Sequence, residues 1–354
     1  MKMENMEAGS AYTGKLPRGC VLCRQGAKMV LLVSGECSTG CFYCPLSLEK
    51  RGRNVLFANE KRCSDDEDVL KEAEMINAKG TGITGGDPVA CLDRTIHYIR
   101  LLKQRFGKRH HIHLYTSSLD IAAFERLEEA GLDELRIHPS VAQWKKMSKT
   151  GLADFKKRSR MKIGFEVPSL PGSEAALRSL IAYAQDAGLD FVNLNELEFS
   201  EGNWDQLRER GFEIIGDESS AAKGSEELAM AMMSSGLQVP VHYCTSSFKD
   251  SIQLRNRLKR RALRVALPSD IITEDGTLFK GVVEGPMDEI MALLREKYEV
   301  PEELMRKDEE RERVEVAPWV LEEIASELPY DSFLVEEYPT ADRLEVEREP
   351  LRPR

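Results

Sequence analysis

Short apolar runs alternate with amphipathic stretches along most of the chain. The apolar runs have the length of strands and fall at 29–35, 82–85, 111–116, 134–138, 162–167, 191–195 and 239–244. The amphipathic stretches place apolar residues on one helix face, and they cover 67–78, 93–106, 119–130, 173–187 and 225–235. This alternation predicts parallel strands joined by crossover helices, because a parallel pair needs a long connection.

The predicted fold class is α/β, a partial (β/α)6-type TIM-like barrel. Six or seven units cover about 220 residues, which is short of the roughly 250 residues of a full barrel. Beyond residue 265 the pattern changes to a hairpin at 271–279 and a helix at 287–298, which predicts a small C-terminal α+β extension. The predicted division is an N-terminal segment at 1–24 with a loose start over 1–18, a core domain at 25–245, and an extension at 246–354.

Composition is that of a soluble globular protein. Hydrophobic residues make up 42% of the 354 residues and charged residues 31%. The longest apolar run, 228–233, is far shorter than the roughly 20 residues of a membrane span. Residues 1–18 lack the apolar core of a signal peptide, so we expect a cytoplasmic protein with no membrane span.

The net charge is unevenly distributed. Lys and Arg number 50 and Asp and Glu number 60, so the formal charge is −10. The acidic tail at 308–354 contains 15 acids and 6 bases, a net charge of −9, and the remaining residues carry −1 by difference. The total argues against a general nucleic-acid binder, but a near-neutral core does not exclude a polyanionic substrate.

Three of the eight cysteines follow the first predicted strand on one short loop. Cys37, Cys41 and Cys44 have the spacing Cys-x3-Cys-x2-Cys, and three such thiolates can hold three irons of a cubane 4Fe–4S cluster. The fourth iron then lacks a local ligand, and an open position is typical of a catalytic metal site. The alternative is a zinc or redox cysteine cluster, but a closed zinc site uses four ligands, and three cysteines on one loop fit it poorly.

This triad, with Tyr43 before its third cysteine, resembles the radical S-adenosylmethionine (SAM) superfamily. The chain is most similar to a mainly archaeal branch related to pyruvate formate-lyase activating enzymes, and the resemblance covers roughly 25–245. It implies that the reduced cluster cleaves SAM into methionine and a 5′-deoxyadenosyl radical, which abstracts hydrogen from a substrate. A low-potential electron donor, ferredoxin or flavodoxin, is also implied. The resemblance identifies no substrate and no further catalytic residue.

The resemblance also suggests which residues contact SAM. Gly85-Gly86-Asp87 stands where the family usually has Gly-Gly-Glu, whose backbone receives the SAM amino group, so Asp87 departs from the pattern but keeps the charge. The other predicted contacts follow the strand ends or flank the cluster: Tyr43 beside the nucleoside, Thr116 and Ser117 at the ribose, Arg136 and His138 near the SAM carboxylate or the substrate, and Glu166 facing either SAM or substrate.

Two further polar features lie at strand ends. Ser118 directly follows the third strand, and we expect it to cap the helix at 119–130. On the sixth strand, period-two alternation places Asn193 and Asn195 on one face and Glu196 on the other. This polar strand end is either a substrate-binding surface or a solvated loop rim.

The remaining cysteines suggest a second metal site. Cys20 and Cys23 precede the first strand, while His242 and Cys244 end the last one, and a parallel sheet can bring such ends together. These residues, or Cys63 in place of His242, could bind zinc or a second iron–sulfur cluster. The alternative is a set of buried, inert thiols.

A basic stretch follows the last strand. Residues 249–264 contain seven bases and one acid and show some helical amphipathicity. They could contact the phosphates of an RNA, or form a solvated helix face docked to the acidic tail. Three functions therefore stay open: a radical SAM enzyme acting on an unidentified substrate, an RNA-modifying (for example tRNA-modifying) radical SAM enzyme, and a non-catalytic iron–sulfur or zinc-binding module.

Overall fold

The computed structural model describes residues 1–216 and 219–351 of the chain. The chain divides into two compact units. The first unit comprises Met1–Glu74 and Ala78–Leu254, and the second comprises Met75–Asn77 and Arg255–Arg354. Within the described part of the chain, no helix is both long enough and apolar enough to cross a bilayer.

The first unit is built on one mixed sheet. Its described strands are β1 (Met3–Asn5), β2 (Ala11–Thr13), β3 (Lys28–Leu32), β4 (Phe57–Ala58), β5 (Lys61–Arg62), β6 (Gly80–Thr84), β7 (His111–Thr116), β8 (Glu134–Ile137), β9 (Lys162–Ser169), β10 (Phe191–Glu196) and β11 (Val241–Cys244). The order across the sheet is β1-β2-β11-β10-β9-β8-β7-β6-β3-β4-β5. The seven strands predicted from the apolar runs are β3 and β6 to β11, which pair in parallel.

Most helices of this unit connect these parallel strands, as the alternation predicts; the first helix precedes β3 and the last one follows β11. The described helices are α1 (Arg18–Arg24), α2 (Asp66–Met75), α3 (Leu92–Phe106), α4 (Ile121–Ala130), α5 (Leu152–Arg158), α6 (Glu174–Asp186), α7 (Trp204–Glu209), α8 (Ser225–Met233) and α9 (Ser246–Phe248). The α/β class is thus confirmed. The partial barrel is not confirmed. Among the described strands, the edge strands β1 and β5 are not paired with each other, so the sheet is open.

The first residues of the chain are not the loose start expected from their composition. Strand β2 pairs antiparallel with β11, and β1 pairs with β2. The Thr245 backbone N–H donates to Ser10 Oγ at 3.1 Å, and the Thr245 hydroxyl donates to the Ala8 carbonyl at 2.7 Å. The free edge of β11 therefore orders a segment whose own sequence pattern is weak, since an unpaired sheet edge offers backbone hydrogen bonds to any extended chain.

The helix α4 also begins differently from the prediction. Asp120, not Ser118, is its N-cap, and the Asp120 carboxylate accepts from the backbone N–H groups of Ala122 and Ala123 at 2.9 and 3.3 Å. Ser118 Oγ instead accepts from the Asp120 backbone N–H at 3.1 Å. Both residue types are good caps, so the sequence alone places this helix start only to within two residues.

The parallel register gathers polar side chains on one face of the sheet. Glu166 on β9 lies beside Asn193 on β10, which lies beside His242 on β11. Tyr115 on β7 lies beside Arg136 on β8, and Arg136 lies beside Gly164, two residues before Glu166 on β9 and on the same face. Because residues paired in a parallel ladder share a face, these five groups point to the same side of the sheet. The intervening residues are apolar and buried; they include Leu114, Leu135, Phe165, Val192 and Val241.

The second unit is an α+β structure. Its described strands, β12 (Ile271–Ile272), β13 (Leu278–Glu284), β14 (Met305–Asp308), β15 (Arg313–Val316), β16 (Asp331–Glu337) and β17 (Glu345–Pro350), form an antiparallel sheet. Its described helices are α10 (Arg255–Val265), α11 (Met287–Glu296) and α12 (Pro318–Ile324). The predicted hairpin is confirmed by the pairing of β12 with β13, and much of the predicted acidic tail forms strands.

The basic stretch is helical throughout. Lys249–Leu254 is a π-helix in the first unit, and α10 continues in the second. Lys249 Nζ lies 3.2 Å from Glu198 Oε1, and Arg260 Nε donates to the Ile76 carbonyl at 2.9 Å. Arg261 Nε donates to the Pro339 carbonyl in the acidic tail. These cations thus contact protein groups, and RNA binding stays a prediction.

Candidate functional site

The cysteine triad lies on the long loop between β3 and β4. Cys37 is exposed, and Cys41 and Cys44 are half-buried. All three line one cavity of about 920 Å³, called here the outer cavity. Gly40, between them, has φ +60°, and a side chain there would meet no atom within 4 Å, so the loop leaves open space beside the thiols. Burial raises the pKa of the Cys41 thiol.

The thiols are not arranged around one ion. Among residues 1–216 and 219–351, no group of three His, Cys, Asp or Glu side chains could hold a single metal ion. A single zinc with bonds of about 2.3 Å would need sulfurs roughly 3.8 Å apart, whereas thiolates that bind different irons of a cluster stand farther apart. Three cysteines around a large cavity therefore fit a cluster better than a zinc ion.

The end of β6 packs closely on the base of this loop. The backbone N–H of Gly86 donates to the Ser34 carbonyl at 2.7 Å, and that of Asp87 donates to the Glu36 carbonyl at 2.8 Å. A Cβ at Gly85 would stand 2.3 Å from the Ser34 oxygen, and one at Gly86 would stand 2.1 Å from the Glu36 oxygen. Packing against the cysteine loop is thus sufficient to require both glycines, whatever ligand they also face.

Asp87 orders the neighbouring strand end. Its buried carboxylate accepts from the Thr116 hydroxyl at 2.6 Å and from the Ser117 hydroxyl and N–H at 2.6 and 3.1 Å. It also accepts from the Val89 N–H at 3.0 Å. Since the Ser117 proton is directed to Asp87, the Thr39 hydroxyl of the cysteine loop donates to Ser117 Oγ at 2.6 Å. One carboxylate therefore connects β7, the end of β6 and the cysteine loop.

Tyr43 and His138 form a second connection across the outer cavity. His138 Nδ1 lies 2.6 Å from the Glu166 carbonyl, which can only accept, so Nδ1 carries the proton. Its Nε2 then accepts from the Tyr43 hydroxyl at 3.0 Å. Burial lowers the pKa of His138 below its ordinary value, which favours this neutral form.

The far half of the cysteine loop is held by the segment after β10. Asn203 Nδ2 donates to the Tyr43 carbonyl at 3.1 Å and to the Glu198 carbonyl at 3.0 Å. Arg51 Nη2 donates to the Cys44 carbonyl at 2.5 Å. The Phe42 ring stacks on Phe212 with centroids 6.1 Å apart. These contacts fix the loop backbone while leaving the three sulfurs at the cavity.

A buried charge cluster forms the inner side of the site. Arg136 lies between Glu134 Oε1, at 2.5 Å, and Glu166 Oε2, at 2.9 Å. Glu166 also accepts from the amides of Asn193 and Asn195 at 2.6 and 2.8 Å. Burial alone would raise the pKa of Glu166, but the Arg136 charge and the two amides hold it below its ordinary value. Glu166 is therefore an anion at neutral pH.

Comparison with a known protein bears directly on this arrangement. A curated protein of Methanocaldococcus jannaschii, named "Putative glycyl-radical enzyme activating enzyme", is 37% identical to the chain over 357 residues. The match covers 95% of this chain and 93% of the relative. The chain belongs to the radical SAM superfamily. The superfamily and the archaeal, activating-enzyme-like branch expected from the cysteine motif are thus confirmed.

A second match concerns the C-terminal part of this radical SAM protein. A family model described as "Domain of unknown function (DUF8061)" matches residues 276–351. This range lies within the second unit and contains five of its described strands, β13 to β17. The description names no activity, so the chemical argument rests on the first unit.

The structure brings most of the predicted SAM contacts of this radical SAM protein to one place. Seven of the predicted contacts line the outer cavity together with the three cysteines: Tyr43, Gly85, Gly86, Thr116, Ser117, His138 and Glu166. Asp87 and Arg136 do not line it: the first is directed to Thr116 and Ser117, and the second is enclosed between two glutamates. Their roles toward SAM stay predictions.

Sequence reasoning missed several polar residues of this cavity. Lys50 and Arg51 line it, and both follow the triad on the same loop. Tyr115, near the end of β7, lines it too. Asn195 and Lys249 also line it, and the sequence had named them only as parts of a polar strand end and of the basic stretch. The sequence contains a signal that could have identified Tyr115. Polar residues such as His113 and Tyr115 alternate with apolar ones along the strands, and this alternation predicts one polar face of the sheet.

The four residues of the predicted second site lie together in a smaller space. Cys20, Cys23, His242 and Cys244 line a cavity of about 200 Å³, called here the inner cavity. The residues shared by the inner and outer cavities are Tyr115, Glu166, Asn195 and Lys249. Cys63, the alternative ligand, lines neither of them.

Proposed function

We propose that this protein is a radical SAM enzyme whose Cys37, Cys41 and Cys44 hold a 4Fe–4S cluster in the outer cavity. When bound, the cluster and SAM supply a 5′-deoxyadenosyl radical that abstracts hydrogen from a substrate. The observation that carries the proposal is that these three thiols and seven of the predicted SAM contacts line one cavity of about 920 Å³. We take the polar face of the open sheet as the inner wall of a partial barrel.

The protein groups around the cavity have separable tasks in this proposal. Thr116, Ser117 and the glycines at the end of β6 offer polar and backbone groups to SAM, and Asp87 holds their positions. The neutral His138 holds Tyr43, and with it the adjoining part of the cysteine loop. Glu166 and Lys249 supply one negative and one positive group on the substrate side.

The name of the relative suggests a substrate class. We infer that this protein abstracts hydrogen from a glycine of a partner protein, with electrons supplied by a ferredoxin or flavodoxin. The contacts of the basic stretch with protein carbonyls and with Glu198 support this assignment over an RNA substrate. A non-catalytic metal-binding module is the remaining alternative, and it predicts no SAM cleavage.

Anaerobic reconstitution tests the chemistry. Protein loaded with iron and sulfide is incubated with SAM and dithionite, and 5′-deoxyadenosine is quantified by mass spectrometry. We expect 5′-deoxyadenosine from wild type, a loss of at least about 100-fold from Cys41→Ala, and wild-type amounts from Cys91→Ala, a half-buried cysteine that lines neither cavity. No 5′-deoxyadenosine from cluster-loaded wild type would contradict the proposal.

Isotope transfer tests the substrate class. The loaded protein is mixed with the soluble proteins of its host after growth on glycine carrying deuterium at both α positions. If a glycyl position is the target, 5′-deoxyadenosine gains one mass unit, and the gain disappears when those proteins are digested beforehand. Label that persists after digestion, or appears only with the small-molecule fraction, would exclude a protein substrate.

A further inference from the structure

The inner cavity contains an unexplained set of soft and polar groups. Cys20 and Cys23 come from helix α1, while His242 and Cys244 come from β11. Cys20, His242 and Cys244 are buried, and no disulfide joins the cysteines. More than 200 positions separate the two pairs in the sequence, yet the fold places all four side chains around one space.

Helix α1 reaches this space by a close contact with the polar sheet face. The Gly19 N–H donates to Glu134 Oε2 at 3.2 Å. A Cβ at Gly19 would lie 2.4 Å from both Arg136 Nη2 and His113 Nδ1. Only a glycine at this position lets α1 pack so closely against the sheet. This close packing brings Cys20 and Cys23 to His242.

Three buried polar atoms of the inner cavity lack a hydrogen-bond partner among the described residues. His242 is 3% exposed, and within residues 1–216 and 219–351 neither its Nδ1 nor its Nε2 has a partner. Asn193 is 1% exposed, and its Oδ1 has no partner in the same part of the chain. An unsatisfied buried polar group costs about 1–3 kcal/mol, and an imidazole without either partner is a good metal ligand. The unpartnered ring therefore points to a ligand inside the cavity.

The sulfur atoms are supplied with hydrogen-bond donors. Arg136 Nη2 lies 3.3 Å from Cys20 Sγ, and Asn193 Nδ2 lies 3.4 Å from the same sulfur. Gln253 Nε2 lies 3.6 Å from Cys244 Sγ. Donors around sulfur stabilise metal-bound thiolates, and iron–sulfur sites use such bonds to set their potentials. Inert structural thiols have no need of a guanidinium group at this distance.

We propose that the inner cavity holds an iron–sulfur cluster, separate from the SAM cluster, with Cys20, Cys23, Cys244 and His242 as its ligands. Cysteine and histidine ligands are combined at other iron–sulfur sites. The cavity of about 200 Å³ is far larger than the roughly 10–15 Å³ that one water needs, so it accommodates a group of several atoms. The lack of a compact three-ligand group among the described residues disfavours a single zinc ion.

Loading the site exchanges protons for metal. A cluster delivered preassembled by an iron–sulfur carrier would exchange its four bonds to the carrier's ligands for three S–Fe bonds and one N–Fe bond. The three S–H bonds would break, and their protons would pass to the released carrier ligands or to solvent, so that no electron is gained or lost by the cysteines. The residues shared with the outer cavity place this cluster directly beside the proposed substrate space.

The test removes the SAM cluster first, so that it does not depend on the proposed function. The variant Cys37→Ala/Cys41→Ala/Cys44→Ala is purified anaerobically, reconstituted with iron, sulfide and a thiol reductant, and analysed for metals, acid-labile sulfide and visible absorption. We expect about two to four irons per chain with matching sulfide and charge-transfer absorption. Metal-free protein, or protein that binds zinc instead of iron and sulfide, would overturn the proposal.

Matched substitutions then locate the remaining iron. Adding Cys20→Ser and Cys244→Ser to the triple variant should reduce iron at least 10-fold, whereas adding Cys63→Ser and Cys91→Ser should leave it unchanged. Equal losses from both pairs would refute the assignment.

A His242→Gln change keeps every thiol, and we expect it to shift the absorption and electron paramagnetic resonance spectra in a variant that unfolds near the same temperature. Unchanged spectra would remove His242 from the ligand set and overturn the proposal as stated.

Discussion

Among single residues, Asp87 shows how a small departure from a family pattern is accommodated. The family usually has a glutamate at this position, and the shorter aspartate here accepts four hydrogen bonds from Thr116, Ser117 and Val89. Its carboxylate thus ties strand ends together and does not reach into the outer cavity. Two of the four donors that converge on it are backbone N–H groups.

This arrangement predicts a clear stability effect. Asp87→Ala leaves the Thr116 and Ser117 donors without their buried acceptor, which should cost about 1–3 kcal/mol of unfolding free energy. Asp93→Ala is the control, because its carboxylate is 89% exposed in a surface pair with Arg126 and should change stability by less than about 0.5 kcal/mol. Urea titration of both variants measures the difference, and equal midpoints would contradict the assigned role.

Among the elements, the contact between the end of β6 and the cysteine loop determines the site geometry. The loop between β3 and β4 has little regular structure of its own, and hydrogen bonds from Gly86 and Asp87 position its base. The far half is positioned by Asn203 and by Arg51. The loop is therefore held at both ends by backbone carbonyls, which leaves its thiols free for metal.

A side chain at Gly86 should displace the cysteine loop and weaken its metal binding. Gly86→Ala places a Cβ about 2.1 Å from a backbone oxygen that no side-chain rotation can move, so we expect a loss of about 1–3 kcal/mol and at least a 2-fold loss of iron after reconstitution. Gly216→Ala is the control, because its Cβ would meet no atom of residues 1–216 and 219–351 within 4 Å. Denaturant titration and iron analysis report both effects, and wild-type values for Gly86→Ala would refute the contact.

For the whole molecule, the acidic tail proves to be part of a folded unit with its own charge balance. Lys280 lies 3.2 Å from Glu315 and 2.9 Å from Glu337, all buried. Arg313 pairs with Glu315 and Glu337, both at 2.9 Å. The apolar part of this unit includes Val283, Ile290, Leu294, Val314 and Leu321. The excess negative charge of the sequence is thus partly neutralised inside the second unit.

This network predicts acid sensitivity. Burial alone would raise the pKa of Glu315, but Lys280 and Arg306 hold it below its ordinary value of 4.5. A carboxyl with a lowered folded pKa stabilises the protein above its unfolded pKa, and this stability is lost as the pH falls below about 4.5. The unfolding free energy of wild type should therefore fall between about pH 5 and about pH 3.

The matched variants isolate this carboxyl. Glu315→Gln should lower stability at neutral pH and reduce the slope of unfolding free energy against pH by up to about 1.4 kcal/mol per unit. Glu347→Gln, at an exposed position of β17, should leave the slope unchanged. Urea titrations at several pH values measure both slopes. A Glu315→Gln slope equal to that of wild type would show that the pairing does not depress this pKa.

Much of the fold and the central chemistry could be predicted because they depend on local patterns. The seven parallel strands are apolar runs whose length and spacing are visible in the chain, and the spacing of Cys37, Cys41 and Cys44 needs no tertiary information. Most predicted SAM contacts line the outer cavity because carboxyl ends of parallel strands meet at one edge. Local periodicity thus determined the elements, and topology then implied where the site lies.

Contacts between distant segments were decided only by the tertiary structure. The start of the chain is ordered by the free edge of β11, and Asp87 is directed away from the cavity by donors on β7. The sequence suggested that Cys20 and Cys23 could meet His242 and Cys244, but the depth of α1 and the register of β11, which bring them into one cavity, leave no signal in the local pattern. Side chains far apart in sequence meet according to packing and register, and those are properties of the folded chain as a whole.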